Sequence, residues 1–194
     1  MCRNGLVATH GHAASVKGSG RLASEQRTTV DFDTIVLKGS LSVEVRQTGK
    51  ESVTVTADDN LLALVETQLQ SGPTGRTLTI SMRSSGSYFS KNDIKVGVEV
   101  AKLSALSSSG SGNVKVQNLK TPVLKISVAG SSDVQLNGLE TQALEVRVAG
   151  SGDAQVTANK RMHATVAGSG DLRWSGSATD VRTSTMGSGT IKKN

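Results

Sequence analysis

The sequence predicts an all-β chain wound as a single-stranded right-handed parallel β-helix, a β-solenoid with about 18–20 residues per coil in its C-terminal half. Three observations predict it. A glycine-rich tetrad recurs at nearly constant spacing: Gly110-Ser111-Gly112-Asn113, Gly130-Ser131-Ser132-Asp133, Gly150-Ser151-Gly152-Asp153, Gly168-Ser169-Gly170-Asp171 and Gly187-Ser188-Gly189-Thr190, at intervals of 20, 20, 18 and 19 residues. The residues flanking the tetrads alternate apolar and polar in the same phase each time. Aromatics make up only 2% of the chain while glycine numbers 21 and proline 2, which suits tight turns around a narrow aliphatic core.

Residues 1–24 show no sustained period and are expected to form a flexible arm; residues 25–194 are expected to form one β-helix domain. Met1 to Ala14 lacks the apolar stretch of a signal peptide. Cys2 has two open readings, a chance surface residue or the start of a mature lipoprotein anchored through that cysteine. As the only cysteine, it can form no intrachain disulfide. His10 and His12 are too few for a metal site by themselves.

Residues 25–103 are a less regular half. Val43, Val45, Val53 and Val55 alternate with polar neighbours, as in half-buried strands. Asp58-Asp59-Asn60 before Leu61-Leu62 reads as the start of a one-turn helix, with a carboxylate capping its first free amides. A turn at 71–75 leads into a return strand carrying Leu78 and Ile80. A polar loop over 84–92 then precedes Ile94, Val96, Val98 and Val100, and its Tyr88 and Phe89 are candidate exposed binding residues.

The regular repeats occupy 104–191. Two residues before the tetrads stand Ser108, Val128, Val148, Val166 and Thr185; four before stand Leu106, Ile126, Val146, Ala164 and Thr183. Directly after come Val114, Val134, Ala154, Leu172 and Ile191, and two further on Val116, Leu136, Val156 and Trp174. One strand–turn–strand unit buries its apolar side against nothing. Stacked units place each column on itself, with parallel strands about 4.8 Å apart. Right-handed winding follows from the handedness of about 98% of parallel crossovers. Thr183 and Thr185 in otherwise aliphatic columns mark a polar terminal coil that protects an open sheet edge.

The segments VLKISVAGSSDVQL, LEVRVAGSGDAQV and MHATVAGSGDLRW, with VDFDTIVLKGSLSVEVRQTGKESVTVTADDNLL before them, resemble the putative auto-transporter adhesin, head GIN domain family. That resemblance covers about residues 25 to 191. It implies a right-handed β-helix, an exported cell-envelope protein, periplasmic or extracellular, and no established activity. Adhesion to a surface partner, protein or polysaccharide, is the role the family name implies.

The sharpest chemical candidate is the column Asn113, Asp133, Asp153 and Asp171. Its structural reading is side chains bonded to the turn backbone. Ca²⁺ held between coils by carboxylates and carbonyls is a second reading. A carboxylate pair for glycoside hydrolysis, as in pectin-degrading β-helix enzymes, is a third. The repetition of the carboxylates once per coil, without distinct acid and nucleophile environments, favours the first. No phosphate loop, dinucleotide fingerprint or nucleophile elbow occurs, so no catalytic residue, metal or other cofactor is expected. Outward residues Lys125, Glu145, His163 and Arg182 should form a mixed-charge ladder. The net charge of +6 comes from Lys and Arg scattered in runs no longer than a pair, with few rings for base stacking, which argues against nucleic acid. No apolar run reaches membrane-spanning length.

Overall fold

In the computed structural model, residues 15–73, 75–83 and 88–194 are described. The chain is all-β, with two large mixed sheets and a two-stranded ribbon. From edge to edge, the first sheet runs Asp180–Gly187, Arg161–Gly168, Glu140–Gly150, Lys120–Gly130, Ala105–Gly110, Thr34–Lys38, Gly75–Met82 and Val65–Gly72. The second runs Ile191–Lys193, Leu172–Ser175, Ala154–Thr157, Asp133–Asn137, Asn113–Gln117, Ser42–Gln47, Lys95–Val100, Ser52–Asp58 and Leu22–Arg27.

From Ala105 onward, successive strands alternate between the sheets, and each lies parallel to its counterpart one repeat away. The columns stack in register: Leu106 on Ile126, Ile126 on Val146, Val146 on Ala164, and Val128 on Val148 on Val166. Val128, Val148 and Val166 are no more than 1% exposed. One continuous aliphatic cluster fills the space between the sheets. Each column residue thus packs against chemically similar neighbours above and below, which holds the coil register.

The tetrads bend the backbone from one sheet to the other. At Gly150 φ is +122°, and a Cβ there would lie 2.3 Å from the Gly130 carbonyl oxygen. Gly152 has ordinary dihedral freedom but no space, since its Cβ would lie 2.0 Å from the Ser132 oxygen. Contact between successive repeats at the corner is therefore backbone on backbone.

The N-terminal half, expected as the less regular part of one parallel β-helix, contains antiparallel strands. Gly75–Met82 and Lys95–Val100 stack parallel on the far side of Thr34–Lys38 and Ser42–Gln47, away from the later repeats. Val65–Gly72 returns antiparallel to Gly75–Met82, because the tight connection between them permits only that direction. Ser52–Asp58 runs antiparallel to Lys95–Val100, and Leu22–Arg27 antiparallel to Ser52–Asp58. Antiparallel strands thus finish this end of both sheets.

Residues 15–24, expected within a flexible arm, contribute strand Val16–Lys17 and the start of Leu22–Arg27. Their side chains alternate too weakly to reveal this; Val16–Lys17 pairs with Tyr88–Phe89, and Leu22–Arg27 with Ser52–Asp58. Cys2, His10 and His12 lie outside the described residues. The one-turn helix occurs at Leu62–Leu64 as a 3₁₀ turn, but no side chain caps it. Asp58 turns away to a different task, described below. At the other end, Thr183 and Thr185 are exposed on Asp180–Gly187, the edge strand of its sheet among the described residues, and the Lys193 ammonium sits 4.7 Å from the centre of the Trp174 ring.

Candidate functional site

Asp133, Asp153 and Asp171 form a row along the corner, and their carboxylates hold one repeat to the next. The Asp153 amide donates to Asp133 Oδ1 at 3.0 Å, and the Asp171 amide to Asp153 Oδ1 at 2.8 Å. The Thr190 amide and hydroxyl both donate to Asp171 Oδ1, at 3.0 and 2.8 Å. Those two bonds, led by the hydroxyl, hold the Asp171 carboxyl below its ordinary pKa. The carboxylate therefore bonds the equivalent residue of the following coil rather than its own turn. A shallow hollow of about 190 Å³ lies along this row, bordered by Gln135, Gln155 and Arg173.

Asn113 behaves differently. The Asp133 amide above it donates to the Gly112 carbonyl at 3.1 Å, so the Asn113 side chain is not used in the ladder. In the tetrad above it, Ser132 replaces the glycine found in the other tetrads. Its hydroxyl turns inward, fully buried, and accepts a bond from the Ser108 hydroxyl at 3.0 Å. Here the backbone ladder reaches the tetrad, pairing Asn113 with Asp133.

Tyr88 and Phe89 form a short strand parallel to Val16–Lys17. Phe89 is 63% exposed; Tyr88 is half-buried and donates its hydroxyl to the Ser40 carbonyl at 3.3 Å. Burial, aided by nearby Asp93, pushes the Tyr88 phenol above its ordinary pKa. Residues 84–87 of the expected loop lie outside the described residues. The segment following Phe89 is anchored by Asp58, which is buried and accepts bonds from the Asn92 side-chain amide and the Ser90 hydroxyl, both at 2.7 Å. These donors, Asn92 first, hold the Asp58 carboxyl below its ordinary pKa. Sequence reading placed a capping carboxylate within Asp58-Asp59-Asn60, because the partners of Asp58 are distant in sequence and leave no local signal.

The sequence reading also missed a hollow centred on Gly97. This residue faces outward in a central strand, and nothing lies closer to its missing Cβ than the Thr54 carbonyl oxygen at 4.0 Å. Ser42, Glu44, Lys95, Asn113 and Lys115 surround the space, about 400 Å³ in volume. An isolated glycine within a strand pattern was the available signal. A second hollow of about 260 Å³ shares Ser42 and Asn113 with it and reaches Tyr88 and Asp93.

The outward charge ladder is present: Lys125 pairs with Glu145, Glu145 with His163, and His163 with Arg182. The Lys125 ammonium lies 3.8 Å from Glu145, whose carboxylate also meets Arg147 at 3.0 Å. Among the described residues, no three His, Cys, Asp or Glu side chains gather as a metal site, and no helix is long and apolar enough to cross a membrane.

Stacked repeats, carboxylates engaged in the backbone and open polar faces define a class of all-β repeat protein. Within that class, the model of the putative auto-transporter adhesin, head GIN domain family matches residues 31–148 and 120–178, and the chain belongs to this family. A crystal structure of a putative adhesin from Bacteroides fragilis NCTC 9343 shares the fold, with TM-score 0.59 and 23% identity over 93% of this chain and 100% of that one. A putative adhesin from Parabacteroides merdae ATCC 43184 aligns at TM-score 0.47 and 18% identity, covering 93% of this chain and 99% of that one. A putative lipid binding protein from Parabacteroides distasonis ATCC 8503 aligns at 0.44 and 22%, covering 93% and 100%. No match is found among curated proteins.

Proposed function

We propose that this chain is a right-handed parallel β-helix that serves as a non-enzymatic scaffold in the cell envelope, binding a surface partner or polymer through its flat outward faces. Strands that alternate between two sheets, each in register with the next repeat, support the winding. Family membership supports an adhesive, exported role.

One observation carries the reading. The residues best suited to chemistry, Asp133, Asp153 and Asp171, each use an oxygen to hold the next coil's backbone. Each accepts the amide of its counterpart in the next repeat, a shared arrangement that provides no division into acid and nucleophile. A lattice of outward side chains repeating with the coils is a surface suited to an extended partner.

The test is an array of bacterial and host surface polysaccharides and proteins probed with the purified chain, alongside a hydrolase and lyase screen. Specific retention without product formation is expected. Polysaccharide turnover lost in Asp153→Asn would overturn the scaffold reading in favour of a β-helix enzyme. A melting temperature that falls on chelation would instead indicate bound Ca²⁺.

A further inference from the structure

We propose that the cleft between Gly97 and Tyr88 binds a carboxylated sugar unit of an acidic polysaccharide, with the carboxylate over Gly97 between Lys95 and Lys115. The inference rests on the scaffold reading and names the site and substrate class for it.

Four features of the cleft converge. First, the absent side chain of Gly97 bares a backbone floor in the middle of an otherwise covered face. The two adjoining hollows, about 400 and 260 Å³, suit a small ligand or one polymer unit. Second, neither Lys95 nor Lys115 has a carboxylate partner among the described residues. The one carboxylate in the Gly97 wall, Glu44, stands between Gly97 and Lys115 in the outward row, and its Oε1 is held by Arg46 and by the Gln117 amide, both at 2.7 Å, so Arg46 offsets its charge. The two ammonium groups are left to attract an anion. Asp93, at the Tyr88 end, confines that anion to the Gly97 end.

Third, Asn113 lines both hollows, and it is the one member of its column that no following amide engages. Its carboxamide can donate and accept toward sugar hydroxyls, as can the Ser42 hydroxyl. An aspartate here, as in the next three coils, would repel the anion. Fourth, Tyr88 gives the far wall a ring with a fixed hydroxyl, an amphipathic surface suited to a sugar face.

A polymer is favoured over a free acid by what continues from Lys115. The same outward row carries Gln135, Gln155, Arg173 and Lys192 in successive strands. At about 4.8 Å per strand, Arg173 lies about 14 Å from Lys115. Gln135 and Gln155 separate the two cationic stations, beside the row of Asp133, Asp153 and Asp171 whose carboxylates are turned to backbone amides, so the track suits a chain that sets carboxylates at the two stations and hydroxyls between them.

The experiment is calorimetric titration of the full chain with a hexamer of galacturonic acid and with its methyl ester, at low and moderate salt. Binding of the acid, weakening with salt, and little binding of the ester are expected. Gly97→Leu fills the hollow, and at least a tenfold loss is expected from it and from the Lys95→Ala/Lys115→Ala double variant. Lys38→Ala/Lys160→Ala removes the same charge elsewhere and should leave affinity unchanged. Circular dichroism confirms that each variant is folded. No binding of the hexamer, equal binding of the ester, or equal loss in Lys38→Ala/Lys160→Ala would overturn the site. Should the array identify another polymer whose binding ignores Gly97→Leu, this inference fails while the scaffold reading stands.

Discussion

A double-mutant cycle on Ser108 and Ser132 tests how one coil dictates the sequence of the next. In the later repeats, valine in this column lies beneath glycine. A Cβ on Gly170 would come 3.1 Å from Val148 Cγ1, and one on Gly189 would come 2.8 Å from Val166 Cγ1. Ser108 replaces that valine and Ser132 that glycine, and their hydroxyls bond at 3.0 Å inside the core. Ser132→Gly leaves the Ser108 hydroxyl buried without its partner, at about 1–3 kcal/mol. Ser108→Val orphans the Ser132 hydroxyl and overpacks the space it occupies, together roughly 2–5 kcal/mol. The double variant restores valine under glycine, leaves neither hydroxyl stranded, and should fall within about 1 kcal/mol of the parent. The two single losses sum to at least about 3 kcal/mol against about 1 for the double variant, so the expected coupling is at least about 2 kcal/mol in favour of the pair. Urea unfolding, followed by circular dichroism and by the fluorescence of the single tryptophan, Trp174, measures each corner of the cycle. Effects that add to within about 0.5 kcal/mol would refute the reasoning.

Three further outcomes follow from the same geometry. Val148→Asp places a charge without a partner in the aliphatic stack and should cost more than about 4 kcal/mol, removing amide protection from residues 120–187 in hydrogen exchange; unchanged melting would contradict the inward facing of Val148. Asp153→Ala strands the Asp171 amide at the corner and should cost about 0.5–1.5 kcal/mol in urea, whereas Asp153→Asn keeps an acceptor oxygen and should cost less. Equal losses would mean that charge, not the amide bond, is what matters there. The carboxyls of Asp58 and Asp171 both have lowered pKa values in the folded chain, through Asn92 and Ser90 for the first and Thr190 for the second. Their stabilisation is fully present above the unfolded carboxylate value near about 4 and is lost as pH falls through the lower folded values. Thermal melts from neutral to acid pH should show that decline, and Asp58→Asn should flatten part of it.

The repeats and their facing are written locally. Alternation assigns Val128, Val148 and Val166 to the interior, and the tetrads position each corner, so column and phase are readable before any coordinates. Even the odd pair shows in the sequence as a serine at 108 and another at 132, though not the bond between them. What the tertiary structure alone decided is pairing across distance. Nothing near Gly75–Met82 and Lys95–Val100 says that they stack outside the 34–47 strands, or that Leu22–Arg27 closes the edge antiparallel. Nor does the segment around Asp58 reveal Ser90 and Asn92, or the Asp row its bonds to the following coil. The Gly97 cleft collects residues from four strands and a loop in the same way. Side-chain period and turn chemistry are properties of a few consecutive residues, whereas the choice of neighbouring strand depends on which distant surfaces bury one another best.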